Sequence, residues 1–151
     1  MQSVLISPAE LRDCSECARR LVEQLREHGV DASAERLSDL LKAVVANTER
    51  GFVLLARADE HIVGVAYAAT ILSAEHNGLV AWVEELYVTP SYRSRGIGST
   101  LLDALIQRAH EARIVAIDSE VDASHSRAES LYRRVGFRRL NRSRWVKELE
   151  I

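Results

Sequence analysis

The run Val83-Glu84-Glu85-Leu86-Tyr87-Val88-Thr89-Pro90-Ser91-Tyr92-Arg93-Ser94-Arg95-Gly96-Ile97-Gly98-Ser99-Thr100-Leu101-Leu102 holds the densest collection of chemically useful residues in the chain. Its second half is built for an anion. Gly96 and Gly98 allow positive φ and a close approach of a phosphate to the backbone. Arg93 and Arg95 can add charge-assisted contacts. A helix that starts here presents free N–H groups and the positive end of its dipole. Together these features fit a pyrophosphate. Two better-known phosphate loops fit less well. A dinucleotide fingerprint would place a small residue where Leu101 stands, and a P-loop would place Lys directly after Gly98. The first half carries two adjacent carboxylates, Glu84 and Glu85, either of which could remove a proton. Neighbouring strand residues face opposite sides, so only one faces a given ligand unless a bulge intervenes. Two surface carboxylates, or an acidic rim that attracts a cation, is the other reading of this pair.

The elements around this run follow from periodicity and punctuation. Val4–Ile6 reads as a short strand, and Ser7-Pro8-Ala9-Glu10 as a helix start with a Ser cap and Pro at the first position. That helix is expected to run to His28 and stop at Gly29. A second spans Ser33–Asn47, with Leu37, Leu40, Leu41, Val44 and Val45 on one face. Phe52–Ala56 and Ile62–Ala68, joined by Asp59-Glu60, predict a hairpin. Gly64 within it signals a bulge or a close backbone approach. A third strand follows from Leu79 to about Val88. The segment after Gly98 is helical, with Leu101, Leu102, Leu105, Ile106 and Ala109 as its apolar stripe. Ile114–Ile117 reads as a buried strand. A last helix starts near Ser124 or Ser126 and ends at Gly136, and the tail Arg138–Leu149 is expected to add one or two strands around Trp145 and Val146. The order β-α-α-β-β-β-α-β-α-β(-β) predicts an α+β (mixed α/β) fold. Its sheet is mostly antiparallel, six- to seven-stranded and flanked by about four helices, with one parallel crossover at the Gly98 helix.

Composition narrows the class. The chain has 151 residues, 47% hydrophobic and 28% charged. This is globular usage, so residues 1–151 are expected to form a single domain. A net charge of -2 argues against nucleic acid as a partner, which calls for a basic excess. The arginines at 138, 139, 142 and 144 read instead as a solvated strand and turn. No apolar run reaches the roughly 18 residues that a spanning helix needs, and the N-terminus lacks a signal-peptide pattern. The expectation is a cytoplasmic protein with no membrane partner. Cys14 and Cys17 have C-x-x-C spacing. They lack the strand-to-helix context of a redox pair and the further ligands of a zinc site, so they read as two thiols on one helix face, with no metal site.

Two motifs carry a family resemblance. Arg93-x-x-Gly96-x-Gly98 after a strand matches the acyl-CoA-binding pattern R/Q-x-x-G-x-G/A of the GNAT superfamily of N-acetyltransferases. Downstream, Glu120-Val121-Asp122 and then His125-x-x-Ala128-x-x-Leu131-Tyr132-x-x-x-Gly136-Phe137 resembles that family's N-x-x-A-x-x-L-Y-x-x-x-G-F signature. Ile62-Val63-Gly64 after an acidic turn resembles its third strand. The resemblance covers roughly residues 50 to 140 and implies an N-acetyltransferase with the GNAT-like fold. Such an enzyme moves an acetyl group from acetyl-CoA, as co-substrate, to a primary amine of a small molecule or a protein by direct attack. It also admits a homodimer, and a non-catalytic acyl-CoA-binding or regulatory module on the same fold.

By the same resemblance, the backbone of Leu86, Tyr87 and Val88 pairs with the pantetheine arm as an extra strand would. A splay from the Ile114–Val121 strand makes the room. An N–H near Leu86 stabilises the oxyanion, and the backbone of Arg95, Gly96, Ile97, Gly98 and Ser99 takes the pyrophosphate, beside Arg93 and Ser94. Tyr132 matches the tyrosine near the thioester sulfur, an acid for the leaving thiolate. The base is Glu84 or Glu85, with Glu84 favoured by the resemblance. The family's Asn is His125 here, which either replaces it as a donor, lines the pocket, or faces solvent.

Overall fold

A computed structural model describes residues 3–122 and 126–151. The chain divides into two compact units, Met1–Glu120 and Val121–Ile151.

The first unit is a five-stranded sheet with strands in chain order: β1 (Val4–Pro8), β2 (Gly51–Ala58), β3 (His61–Ser73), β4 (Gly78–Val88) and β5 (Ala116–Ser119). The first four strands pair antiparallel, and β5 runs parallel to β4. Three helices accompany them: α1 (Cys14–Glu27), α2 (Ala34–Ala46) and α3 (Ile97–Glu111). α3 is the crossover that a parallel β4–β5 pair requires. Two apolar clusters show how the layers stack. Cys14, Cys17, Ala18 and Leu21 of α1 and Leu41 and Val44 of α2 pack with Val53, Leu55, Val65 and Tyr87. On the opposite face, Ile97, Leu101 and Leu105 of α3 pack with Leu54, Ala56, Ala66, Ala81 and Val83. Gly64 permits this second layer: a Cβ there would lie 2.9 Å from Leu101 Cδ1 and 3.1 Å from Tyr87 O. The β2–β3 register also shifts between Ala56 and Arg57, so the bulge and the close approach expected at Gly64 both occur.

Several boundaries differ from expectation, and β3 runs on to Ser73, past the expected end at Ala68. Ser7 and Pro8 belong to β1, not to a helix start, because Pro8 pairs with Leu54 and Ala9 N–H donates to Val53 O at 2.9 Å. Pro is tolerated on this edge strand, where a missing donor costs little. The helical path begins instead with a 3-10 turn at Leu11–Asp13, where Glu10 N–H donates to Asp13 Oδ2 at 2.8 Å. β5 starts at Ala116, is only half buried, and leaves Val115 exposed.

The second unit contains α4 (Ser126–Arg134) and the tail. Gly136 at φ 98 closes α4. Its N–H donates to Arg133 O at 3.1 Å, and that of Phe137 to Tyr132 O at 3.0 Å. This pair of bonds is a Schellman cap, and its accompanying contact is the edge-to-face pair of Tyr132 and Phe137, 4.8 Å apart. The tail forms none of the expected strands among the described residues. Trp145 is 90% and Val146 82% exposed, so no buried face pins a register there. Among the described residues, no helix is long and apolar enough to cross a membrane.

Candidate active site

β4 changes character partway along. Val80–Val83 pairs with β3 on one side and with β5, up to Ser119, on the other. The β3 register then slips: Ala68 faces Val83 but Tyr67 faces Glu85, which leaves Glu84 as the extra residue of a bulge. Bulges bend a strand and increase its twist. Among the described residues, β5 supplies no pairing to β4 beyond this point. Thr89 N–H donates to Val63 O at 2.9 Å. By antiparallel parity, Tyr87 and Glu85 direct their backbone groups to β3, while Leu86 and Val88 direct theirs to the released edge.

The bulge also decides which carboxylate is buried. Tyr87 lies in the α1/α2 cluster and Tyr67 packs against it. Glu85 is two residues from Tyr87 and opposite Tyr67, so it shares that face. Burial pushes the Glu85 carboxyl up to about 7, and the adjacent Glu84 charge adds to the rise. Glu84 itself is exposed. Burial, and then the Glu84 charge, also raise Tyr67. A carboxyl near 7 can exchange a proton at neutral pH.

The turn after β4 has a shape that suits an anion. Ser94 (φ 64) and Gly96 (φ 80) both adopt left-handed conformations. α3 then starts at Ile97, and its first intrahelical acceptor is Gly96 O, bonded by Thr100 N–H at 3.0 Å. The N–H groups of Ile97, Gly98 and Ser99 therefore precede the helix ladder and converge at its positive end. The two arginines differ. Arg95 is exposed and stacks over Tyr92 at 4.9 Å. The side chain of Arg93 turns away from the helix start. It lies over the Tyr87 ring at 5.4 Å, its Nε donates to Val88 O at 2.8 Å, and its Nη2 pairs with Glu27 at 3.1 Å. Its guanidinium is thus committed within the protein, while its backbone stays in the turn.

Three α1 residues that sequence reasoning missed grip this region. Glu23 Oε2 accepts from Tyr87 OH at 3.0 Å. Burial, followed by this bond, pushes the Tyr87 phenol up to about 12. Gln24 Nε2 donates to Leu86 O at 3.5 Å, and Glu27 holds Arg93. These partners lie more than 60 residues apart in the chain, and the only local signal was polar residues on the inner side of α1.

Tyr132 is buried in the second unit, and His125 lies outside the described residues. Cys14 and Cys17 are free and buried in the α1 layer. Burial pushes Cys17 up to about 12 and raises Cys14, so both thiols stay protonated and serve packing. No group of side chains suited to a metal ion occurs among the described residues.

Known structures share this architecture. A possible acetyltransferase of Clostridium difficile 630 superposes with a TM-score of 0.83 at 19% identity, over 98% of this chain and 99% of that one. A predicted acetyltransferase of Clostridium acetobutylicum, solved with acetyl-CoA, gives 0.81 at 20% identity, over 96% of each chain. An aminoglycoside N-acetyltransferase in complex with CoA gives 0.84 at 14% identity, over 98% of this chain and 96% of that one. A search of curated proteins finds no match. At these identities the superpositions speak for the fold. The family model for GNAT acetyltransferases matches residues 15–137, most of the chain and both glycine motifs, and so this protein belongs to the GNAT family of acetyltransferases.

Proposed function

We propose that residues 1–151 act as one cytoplasmic N-acetyltransferase domain that transfers the acetyl group of acetyl-CoA to a primary amine. The observation that carries this reading is the release of Leu86 and Val88 from β5 just before the three free N–H groups at the start of α3. An extended amide-containing arm suits the open strand edge, and a pyrophosphate suits the helix start.

The reaction is direct attack. A primary amine has a reference pKa of ~10.4, so the acceptor must lose a proton before it attacks. Glu85 takes that proton, since its carboxyl titrates near the working pH. Glu84, exposed at the bulge, raises the Glu85 pKa and attracts the cationic amine to the site. The amine nitrogen bonds to the thioester carbon, and the oxyanion that forms is stabilised by Leu86 N–H. Collapse breaks the C–S bond, and the nitrogen releases its remaining extra proton to water as the amide forms. By family resemblance, Tyr132 protonates the departing thiolate: a phenol near ~10 and a thiol near ~8.5 lie within proton-transfer range.

Calorimetric titration with acetyl-CoA and with free CoA tests this reading. Micromolar binding is expected, and Gly98→Trp should weaken it by filling the anion site. A folded sample that binds neither compound would overturn it. Binding without thiol release across a panel of amines would instead identify a non-catalytic acyl-CoA-binding module.

A further inference from the structure

The released edge of β4 is not an ordinary strand edge. An ordinary edge offers donors and acceptors in alternation to an added strand. Here parity leaves the N–H and C=O groups of Leu86 and Val88 on that edge, and side chains already hold both carbonyls. Val88 O accepts from Arg93 Nε at 2.8 Å, and Leu86 O accepts a weaker contact from Gln24 Nε2 at 3.5 Å, beyond the usual span of about 2.7–3.2 Å. The edge is therefore biased toward donors. An arm lying along it can place its carbonyl oxygens on the two N–H groups, but its own N–H meets carbonyls that are already engaged.

One acceptor nearby is unspent. Gln24 Oε1 is buried and has no hydrogen-bond partner. Its orientation follows from chemistry, because a flipped carboxamide would set Oε1 against Leu86 O, acceptor to acceptor. The neighbouring α1 carboxylates differ in that each already has partners, Glu23 in Arg20 and Tyr87 and Glu27 in Arg93. A buried acceptor without a protein partner is destabilising unless a ligand or a water supplies the donor.

We infer that Gln24 binds the pantetheine arm: its Nε2 covers the Leu86 carbonyl and its Oε1 accepts an amide N–H of the arm. The carboxamide thus relays the acceptor that the strand edge has lost. α1 becomes part of the cofactor site through a residue outside both glycine motifs. The inference rests on the acetyl-transfer reading of this edge.

Calorimetry with two ligands tests it. CoA carries the arm, and adenosine 3′,5′-bisphosphate has the nucleotide end without it. Gln24→Leu, close in volume, should weaken CoA by about three- to tenfold, the worth of one hydrogen bond, and leave the bisphosphate unchanged. Equal CoA affinity in the variant and the wild type overturns the inference, and so does equal weakening of both ligands. If Gln24→Leu fails to fold, the side-chain amide resonance of Gln24 in the wild type decides. It should shift on adding CoA and stay still with the bisphosphate; no shift with CoA overturns the role. Wild-type protein that binds no CoA removes the acetyl-transfer reading as well, whereas wild type that binds while the variant matches it removes the Gln24 role alone.

Discussion

The two halves of β4 share one backbone and differ in what borders them. Val80–Val83 lies between β3 and β5, and its Ala81 and Val83 fill the core against α3. Glu84–Val88 keeps β3 but loses β5. One extra residue marks the divide. It turns the parity of the strand, so that a carboxylate enters the α1/α2 face and two backbone donors point to an open edge. A paired strand becomes one with a free edge through a local insertion rather than through a separate loop. The scaffold that fixes the first half then fixes the second, which on the proposed function places the binding edge on a rigid element.

If that division holds, substitutions in the two halves fail differently. The largest effect is expected from Glu85→Gln, which should lower kcat/KM by about 100-fold or more, in line with loss of a general base. The wild-type rate should rise as pH passes through about 7, where Glu85 ionises, and this limb should vanish in the variant. Stability should move the other way. A carboxyl whose folded pKa is raised binds its proton more tightly when folded, so stability falls as pH rises from the unfolded value, ~4.3, to about 7. Glu85→Gln should therefore melt higher than wild type at pH 8, with the gap closing near pH 4. A rate loss without these pH signatures would deny Glu85 its role.

In the paired half, Ala81→Leu should cost about 1–3 kcal/mol by overpacking a fully buried position, read as a lower denaturation midpoint. Its kcat should stay near wild type in the folded fraction. A large kcat loss would show that the halves are not separable. Gly96→Ala should cost about 1 kcal/mol through its left-handed φ of 80, with no steric clash around the added Cβ. It should leave the Glu85 pH limb in place. The smallest effect is expected from Glu84→Gln, which should move that limb to lower pH by removing the second cause of the Glu85 rise. A limb that stays put would mean that burial alone sets it.

Much of this was legible in the sequence because it is written in local signals. Gly96 and Gly98 marked a turn into a helix, Asp59-Glu60 marked a hairpin, and Gly64 marked a bulge or a close approach. The Tyr132–Phe137 contact shows why a L-Y-x-x-x-G-F string can be read at all: the glycine closes the helix and folds the phenylalanine back onto the tyrosine. What stayed hidden depends on distant pairing. Ser7-Pro8 has the form of a helix cap, and only β2 turns it into a strand. Glu84 and Glu85 are chemically alike, and the slip opposite Tyr67 and Ala68 separates them. Arg93 suits a phosphate until Glu27, 66 residues earlier, claims its guanidinium.

The two buried cysteines have a practical consequence. Cys14 and Cys17 are the chain's only cysteines, and both are shielded within the α1 layer, with Cys17 held near 12. Disulfide reagents that report free thiolate will find almost nothing to react with on the folded protein at neutral pH. In a mixture that tests acetyl transfer, their colour would report thiol released from acetyl-CoA, and a slow rise without acetyl-CoA would measure how often the α1 layer opens.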